Sequence, residues 1–137
     1  MKILILEDDL NRMEQFQCRV KELNERNNFK SEIIHVETAE DCIAELEKIT
    51  DVKDKFQLIL LDHDLGGEVY VDTSREDTGS EVARWINNNP EKIHGTFIIT
   101  HTFNPAGAKN IVDLIPDCLY VPGIWVKDKF HQYIRVI

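Results

Sequence analysis

The sequence predicts a doubly wound α/β fold built on five parallel strands. Three observations carry this. Five short apolar runs alternate with five helical stretches, the pattern of right-handed βαβ crossovers. The central runs are continuous rather than alternating, as strands buried on both faces are. The 137 residues contain no repeat, linker or low-complexity stretch, so one domain over 1–137 is expected.

Ile3 to Leu6 is the first run. Met13, Phe16, Val20 and Leu23 follow at spacings of 3, 4 and 3, one face of a helix. Ile33 to Val36, interrupted by His35, is the second run. Thr38 is an expected N-cap with Asp41 in the first turn, opening a helix striped by Ala39, Ile43 and Leu46. Phe56 to Leu61 is the third run. The connection after it, Gly66 to Thr78, is long, and Val69-Tyr70-Val71 is expected to form a small hairpin arm within it. Val82, Ala83 and Ile86 stripe a third helix, stopped by Asn87-Asn88-Asn89-Pro90. Phe97 to Ile99 is the fourth run. Asn104-Pro105 opens a helix striped by Ala108, Ile111, Val112 and Ile115 and ended by Pro116. Leu119 to Val121 is the last run, and a fifth helix is expected over about Trp125 to Tyr133.

Lys plus Arg is 16 and Asp plus Glu is 25, which leaves a net charge of −9. So acidic a chain lacks the basic face that neutralises duplex phosphates, although a small local site can still meet a nucleic-acid end. An acidic cleft suits a divalent ion with oxygen ligands. No apolar run approaches membrane-spanning length, and Met1-Lys2-Ile3-Leu4 runs straight into a strand. Cys18, Cys42 and Cys118 are odd in number and form no C-x-x-C pair. They read as core or near-core residues in a reducing compartment, so a cytoplasmic location is expected.

Ligands of such sheets bind outside the carboxyl ends of the strands. Glu7-Asp8-Asp9 follows the first strand, Asp62-His63-Asp64-Leu65-Gly66-Gly67 the third, and Thr100-His101-Thr102-Phe103-Asn104 comes at the fourth. Asp9 is well explained as a helix start, because acids favour that end. Glu7, Asp8 and Asp62 are not, and carboxylates gathered there repel one another unless a cation such as Mg²⁺ or Mn²⁺ relieves them. His63 and His101 are expected to converge on these acids and to give and take protons. His35, His94 and His131 lack such company and are read as structural. The helix beginning at Asn104 points backbone N–H groups at the site, ready for an anion such as phosphate, and Gly107 in its first turn permits close approach.

Lys2-Ile3-Leu4-Ile5-Leu6-Glu7-Asp8-Asp9 resembles the opening of response-regulator receiver domains, whose acidic pair holds Mg²⁺. Leu60-Leu61-Asp62 resembles their third strand, which ends in the phosphoacceptor aspartate, and Asp77-Thr78-Gly79-Ser80-Glu81-Val82-Ala83 looks like the start of their third helix. Val121 stands before Pro122 where receivers carry a lysine. Leu61-Asp62-His63-Asp64-Leu65-Gly66 and His101-Thr102-Phe103-Asn104-Pro105-Ala106-Gly107-Ala108 are similar to a receiver offshoot, the cyclic-phosphate processing receiver domain.

The resemblance implies the strand order 2-1-3-4-5. It implies one divalent ion on Asp8, Asp62 and the Asp64 carbonyl, with Glu7 one layer out. It also implies phosphoester chemistry on a phosphorylated small molecule or a nucleic-acid end. His63 and His101 are then the expected base and acid, and Thr102 a donor to the phosphoryl group. Asp62 is either a participant or a nucleophile. The alternative is a signalling domain, phosphorylated on Asp62 or without catalysis. No feature of the sequence names a protein partner.

Overall fold

The computed structural model describes residues 1–28 and 30–135. Its elements are β1 (Lys2–Leu6), α1 (Leu10–Asn27), β2 (Glu32–Val36), α2 (Ala39–Glu47), β3 (Leu58–Leu61), α3 (Gly79–Asn88), β4 (Phe97–Thr100), α4 (Pro105–Leu114), β5 (Leu119–Tyr120) and α5 (Lys127–Tyr133). The strands form one parallel sheet in the order β2-β1-β3-β4-β5. This is the predicted topology, and its reversal of direction falls between β1 and β3, where such sheets open a crevice.

Alternation along each strand sorts the core into two layers. Ile3, Ile5, Leu58, Leu60 and Ile99 face α1 and α5, where they meet Phe16, Val20, Trp125 and Phe130. Leu4, Leu6, Ile59, Leu61 and Ile98 face α2, α3 and α4. Successive strand residues point to opposite faces, so this parity also decides where each residue beyond a strand end goes.

The α1 stripe is buried as predicted, with Phe16 at 0% exposure, a burial worth about 3 kcal/mol. Asp9 caps α1 by accepting from the Arg12 N–H at 3.0 Å, and Thr38 caps α2 by accepting from the Asp41 N–H at 3.1 Å. Two expectations fail. Cys18 is exposed, because it falls two residues past Phe16 and off the buried stripe, whereas Cys42 and Cys118 are buried. No hairpin forms at Val69-Tyr70-Val71. There the Tyr70 and Val71 N–H groups donate to the Asp64 carboxylate instead of to a partner strand.

Candidate functional site

The strand register builds the centre of the site. Leu6 pairs with Leu61, and Leu61 with Thr100, so β1, β3 and β4 end level. The ladder runs one residue further: the Asp62 N–H donates to Leu6 O at 3.1 Å and the His101 N–H to Leu61 O at 3.0 Å. Glu7, Asp62 and His101 therefore stand side by side. By parity all three face α1 and α5. They are 0%, 3% and 1% exposed, an expensive burial for charged groups unless they pair.

Their pairing is specific. Glu7 Oε2 lies 2.9 Å from His101 Nε2, and Glu7 Oε1 accepts from the Asp9 N–H at 3.0 Å. Arg12 Nη2 stands 3.1 Å from Glu7 Oε1 and 3.6 Å from Asp62 Oδ2. The guanidinium also lies over the Trp125 ring, 5.3 Å from its centroid. His101 is wedged edge-on between Phe16 and Trp125, with ring centroids 5.1 and 5.8 Å away. Asp62 Oδ1 accepts from the His63 N–H at 2.8 Å, but Asp62 Oδ2 is buried with no hydrogen-bond partner.

These surroundings drive the two acids apart. Burial pushes the Asp62 carboxyl up to about 7; His101 and Arg12 oppose this, and the neighbouring Glu7 charge adds to it. Burial also disfavours the charge on Glu7. There the His101 hydrogen bond and charge, the Asp9 N–H and Arg12 prevail and hold the carboxyl below its usual range. Asp62 is thus raised toward the neutral range while Glu7 is held low, the division of labour a pair of acids needs for proton transfer.

Above this row opens a cleft of about 640 Å³, the size of a small-ligand site. Asp62, Arg12, Thr102, Asp8 and Asp64 line it together with Leu10, Val69, Tyr70 and Phe103. Those last four are 57–76% exposed, an apolar rim around a charged floor. Asp8 Oδ2 accepts from the Gly67 N–H at 2.9 Å and so ties the long loop to the end of β1.

His63 does not join His101. It lies two residues beyond Leu61, so parity sends it to the opposite face, among α3 and α4. There Nδ1 meets Asp64 Oδ1 at 2.8 Å and Nε2 meets Ser80 Oγ at 2.9 Å, with the ring at 0% exposure. Both nitrogens are engaged away from the cleft, a fastening geometry rather than one for proton transfer to a ligand.

The Asp64 carboxylate completes the fastening. Burial opposes its charge, but the bonds from His63, Asn104, Tyr70 and Val71 hold it below the usual range. Asn104 Nδ2 donates to Asp64 Oδ1 at 3.1 Å and to Val71 O at 3.2 Å.

The expected anion site at α4 is also revised. Pro105 has no N–H, and the Gly107 N–H is taken by Asn104 Oδ1 at 3.1 Å. Of the first three helical residues only Ala106 retains an N–H to offer. Gly107 makes room for protein rather than ligand: a Cβ there would run into the His63 ring, 2.7 Å from Nδ1. Gly79 serves likewise, since a Cβ there would strike the Asp62 carbonyl carbon at 2.9 Å.

The model of the cyclic-phosphate processing receiver domain matches residues 3–117. The chain belongs to that family. Receiver structures share the fold of this cyclic-phosphate processing receiver domain. The phosphorylated cyanobacterial phytochrome response regulator RcpA is 20% identical, with a TM-score of 0.66, covering 96% of this chain and 86% of its own. The bacteriophytochrome response regulator RtBRR is 18% identical, with a TM-score of 0.67, covering 99% and 81%. A response regulator receiver domain from Rhodospirillum rubrum is 17% identical, with a TM-score of 0.61, covering 99% and 96%. No curated protein sequence matches the chain.

In this receiver domain Val121, in the lysine position, is 5% exposed and packs in the α1–α5 layer. The guanidinium beside Asp62 comes instead from Arg12, a residue outside the acidic and histidine motifs. Its signal was a cation three residues past the Asp9 cap, one turn into the helix that follows the acidic run. Ser80 and Trp125 had no such signal, because their places depend on how α3 and the chain after β5 return to the sheet.

Proposed function

We propose that this receiver domain hydrolyses a cyclic phosphate ester in the cleft over Asp62 and Arg12. The observation that carries the reading is the unpartnered Asp62 Oδ2. It is buried, stands 3.6 Å from the Arg12 guanidinium, and belongs to a carboxyl that exchanges its proton near neutral pH. Water attacks phosphorus and its proton passes to the ionised Asp62 carboxyl. The ring P–O bond breaks, and Asp62 returns the proton to the departing alkoxide. Arg12 and the Thr102 hydroxyl face the phosphoryl oxygens as charge builds there. Thr102 Oγ1 accepts from the Asn104 N–H at 3.1 Å, which aims the hydroxyl. His101 acts from beneath, through Glu7, by holding the row in place.

The unpartnered Asp62 oxygen beside Glu7 fits a divalent ion, Mg²⁺ or Mn²⁺. Glu7 and Asp62 would hold it, and when bound it would withdraw charge from the phosphoryl group. The lining acids Asp8, Asp9, Asp64 and Glu68 repel a doubly charged monoester more than a singly charged cyclic diester, which favours substrate over product.

A panel of 2′,3′-cyclic nucleotides, RNA with a cyclic-phosphate end and cyclic dinucleotides, with added MnCl₂, tests the reading by ³¹P NMR. Conversion of one class to the monoester is expected. Folded protein that turns over none of them refutes the proposal. Incubation with acetyl phosphate is expected to leave no stable phosphoryl group on Asp62, because the carboxyl is buried and Val121 stands where a lysine would meet the phosphoryl group.

The rim carries a second expectation. Tyr70 is 74% exposed yet held at φ 52°, a costly backbone position for a non-glycine residue, with its N–H on Asp64 Oδ2 at 2.6 Å. A ring presented at such cost suits stacking on a ligand's flat face, worth about 1–3 kcal/mol. Tyr70→Ala is expected to raise KM roughly tenfold for a nucleotide substrate and to leave kcat within about twofold. An unchanged KM removes Tyr70 from the site.

A further inference from the structure

We infer that the ion site of this domain is a mixed nitrogen–oxygen centre of Glu7, Asp62 and His101, and that it selects a first-row transition ion such as Mn²⁺ over Mg²⁺. The ligand set expected from the resemblance was all oxygen: Asp8, Asp62 and the Asp64 carbonyl. The structure gathers a different trio. One atom each from Glu7, Asp62 and His101 lies within 4.8 Å of the others, all three side chains being buried. Asp8 is turned to the Gly67 N–H, and the Asp64 carboxylate to His63 and the loop.

A further observation points to a ligand. Asp62 Oδ2 is buried without a hydrogen-bond partner. An orphaned carboxylate oxygen is costly to bury, and an ion would recover that cost. The spacing is also close to what an ion needs. Donors about 2.1 Å from one metal stand roughly 3–4 Å apart, so side-chain rotations of a fraction of an ångström close the site.

The third donor decides the metal. Mg²⁺ takes oxygen ligands and keeps several waters, whereas imidazole suits the transition ions. His101 Nε2, now 2.9 Å from Glu7 Oε2, would exchange that hydrogen bond for the ion. Arg12, bridging Glu7 Oε1 and Asp62 Oδ2, holds the place of the cation. Metal binding would push its guanidinium outward into the cleft that it already lines.

The inference stands independently of the cyclic-phosphate reading, and its test reads metal binding alone. MnCl₂ and MgCl₂ are titrated separately by calorimetry and by fluorescence of Trp125, whose ring lies 5.8 Å from His101. Wild type is expected to bind Mn²⁺ at least tenfold more tightly than Mg²⁺. His101→Gln is expected to lose most of that margin while keeping its Mg²⁺ affinity within about threefold. Arg12→Ala is expected to bind Mn²⁺ more tightly than wild type, having lost a like charge at the site. Should His101→Gln fail to fold, electron-nuclear double resonance of Mn²⁺ on the wild type gives the same answer, with a ¹⁴N coupling expected. An unchanged Mn²⁺/Mg²⁺ ratio in His101→Gln, Mn²⁺ bound without ¹⁴N coupling, or no Mn²⁺ binding at all overturns the inference.

Discussion

Asp62→Asn is expected to lose ~10²–10⁴ in turnover and, in the same protein, to gain stability at alkaline pH. The two effects share one cause. The Asp62 carboxyl sits in a buried row beside Glu7, which raises it to about 7 from an ordinary 3.8. Between those values the folded state binds a proton that the unfolded state has released, so stability falls as pH rises from about 4 to about 7. The full difference of roughly three units corresponds to about 4 kcal/mol. Asparagine keeps the shape and carries no charge to bury, so it escapes that loss.

In EDTA at pH 8.5, Asp62→Asn is expected to melt on the order of 10 °C above wild type. At pH 5, where the wild-type carboxyl is protonated in the fold, the gap should shrink to a few degrees. Thermal melts across this range decide the matter: a gap that does not change with pH means that Asp62 is not raised. Full activity in the variant, on whichever substrate is found, would remove Asp62 from the chemistry.

Gly107→Ala is expected to cost about 3 kcal/mol. The added Cβ has nowhere to go, because the His63 ring fills the space. Moving His63 would break its bonds to Asp64 and Ser80, and with them the bracket that holds the 66–78 loop over the cleft. His63→Ala alone should cost a similar amount by leaving a cavity and taking one hydrogen bond from the buried side of Asp64.

The two losses should not add. Once the ring is gone the Gly107→Ala methyl fits, so the double variant should be no less stable than His63→Ala. Urea denaturation of the four proteins measures this. Additive losses, or a Gly107→Ala cost below about 1 kcal/mol, would show that the two residues do not share that space. Turnover per folded molecule should fall far less in His63→Ala than in His101→Ala, since His63 faces away from the cleft.

The five strands, the five helices and their order were legible because they rest on periodicity and punctuation. Met13, Phe16, Val20 and Leu23 mark a helix wherever it packs, and Thr38 or Asn104 marks its start. The acids at the ends of β1 and β3 were legible for a similar reason, since a carboxylate leaving a buried strand has few structural explanations. The failures have physical causes. Residue type favours burial of Cys18, but its helical phase places it in solvent. A hairpin at Val69-Tyr70-Val71 suits the length of the 66–78 loop, but the Asp64 carboxylate gives the Tyr70 and Val71 N–H groups acceptors of their own.

The two histidines mark the boundary most clearly. Each follows a strand and each looked ready to act, yet one residue of parity puts His101 with Glu7 and Asp62 and His63 with Ser80 and Gly107. That alternation was present in the sequence once the ends of β3 and β4 were known to the residue. Local patterning alone determined the doubly wound sheet, the acidic edge and the helix caps, because each depends on neighbours a few positions away. Register and return paths decided the rest: that Glu7, Asp62 and His101 form one row, that Arg12 supplies the cation, and that Gly107 makes room for a ring. The Glu7–His101 contact joins residues 94 positions apart, and no local signal encodes a distance that only the closed sheet creates.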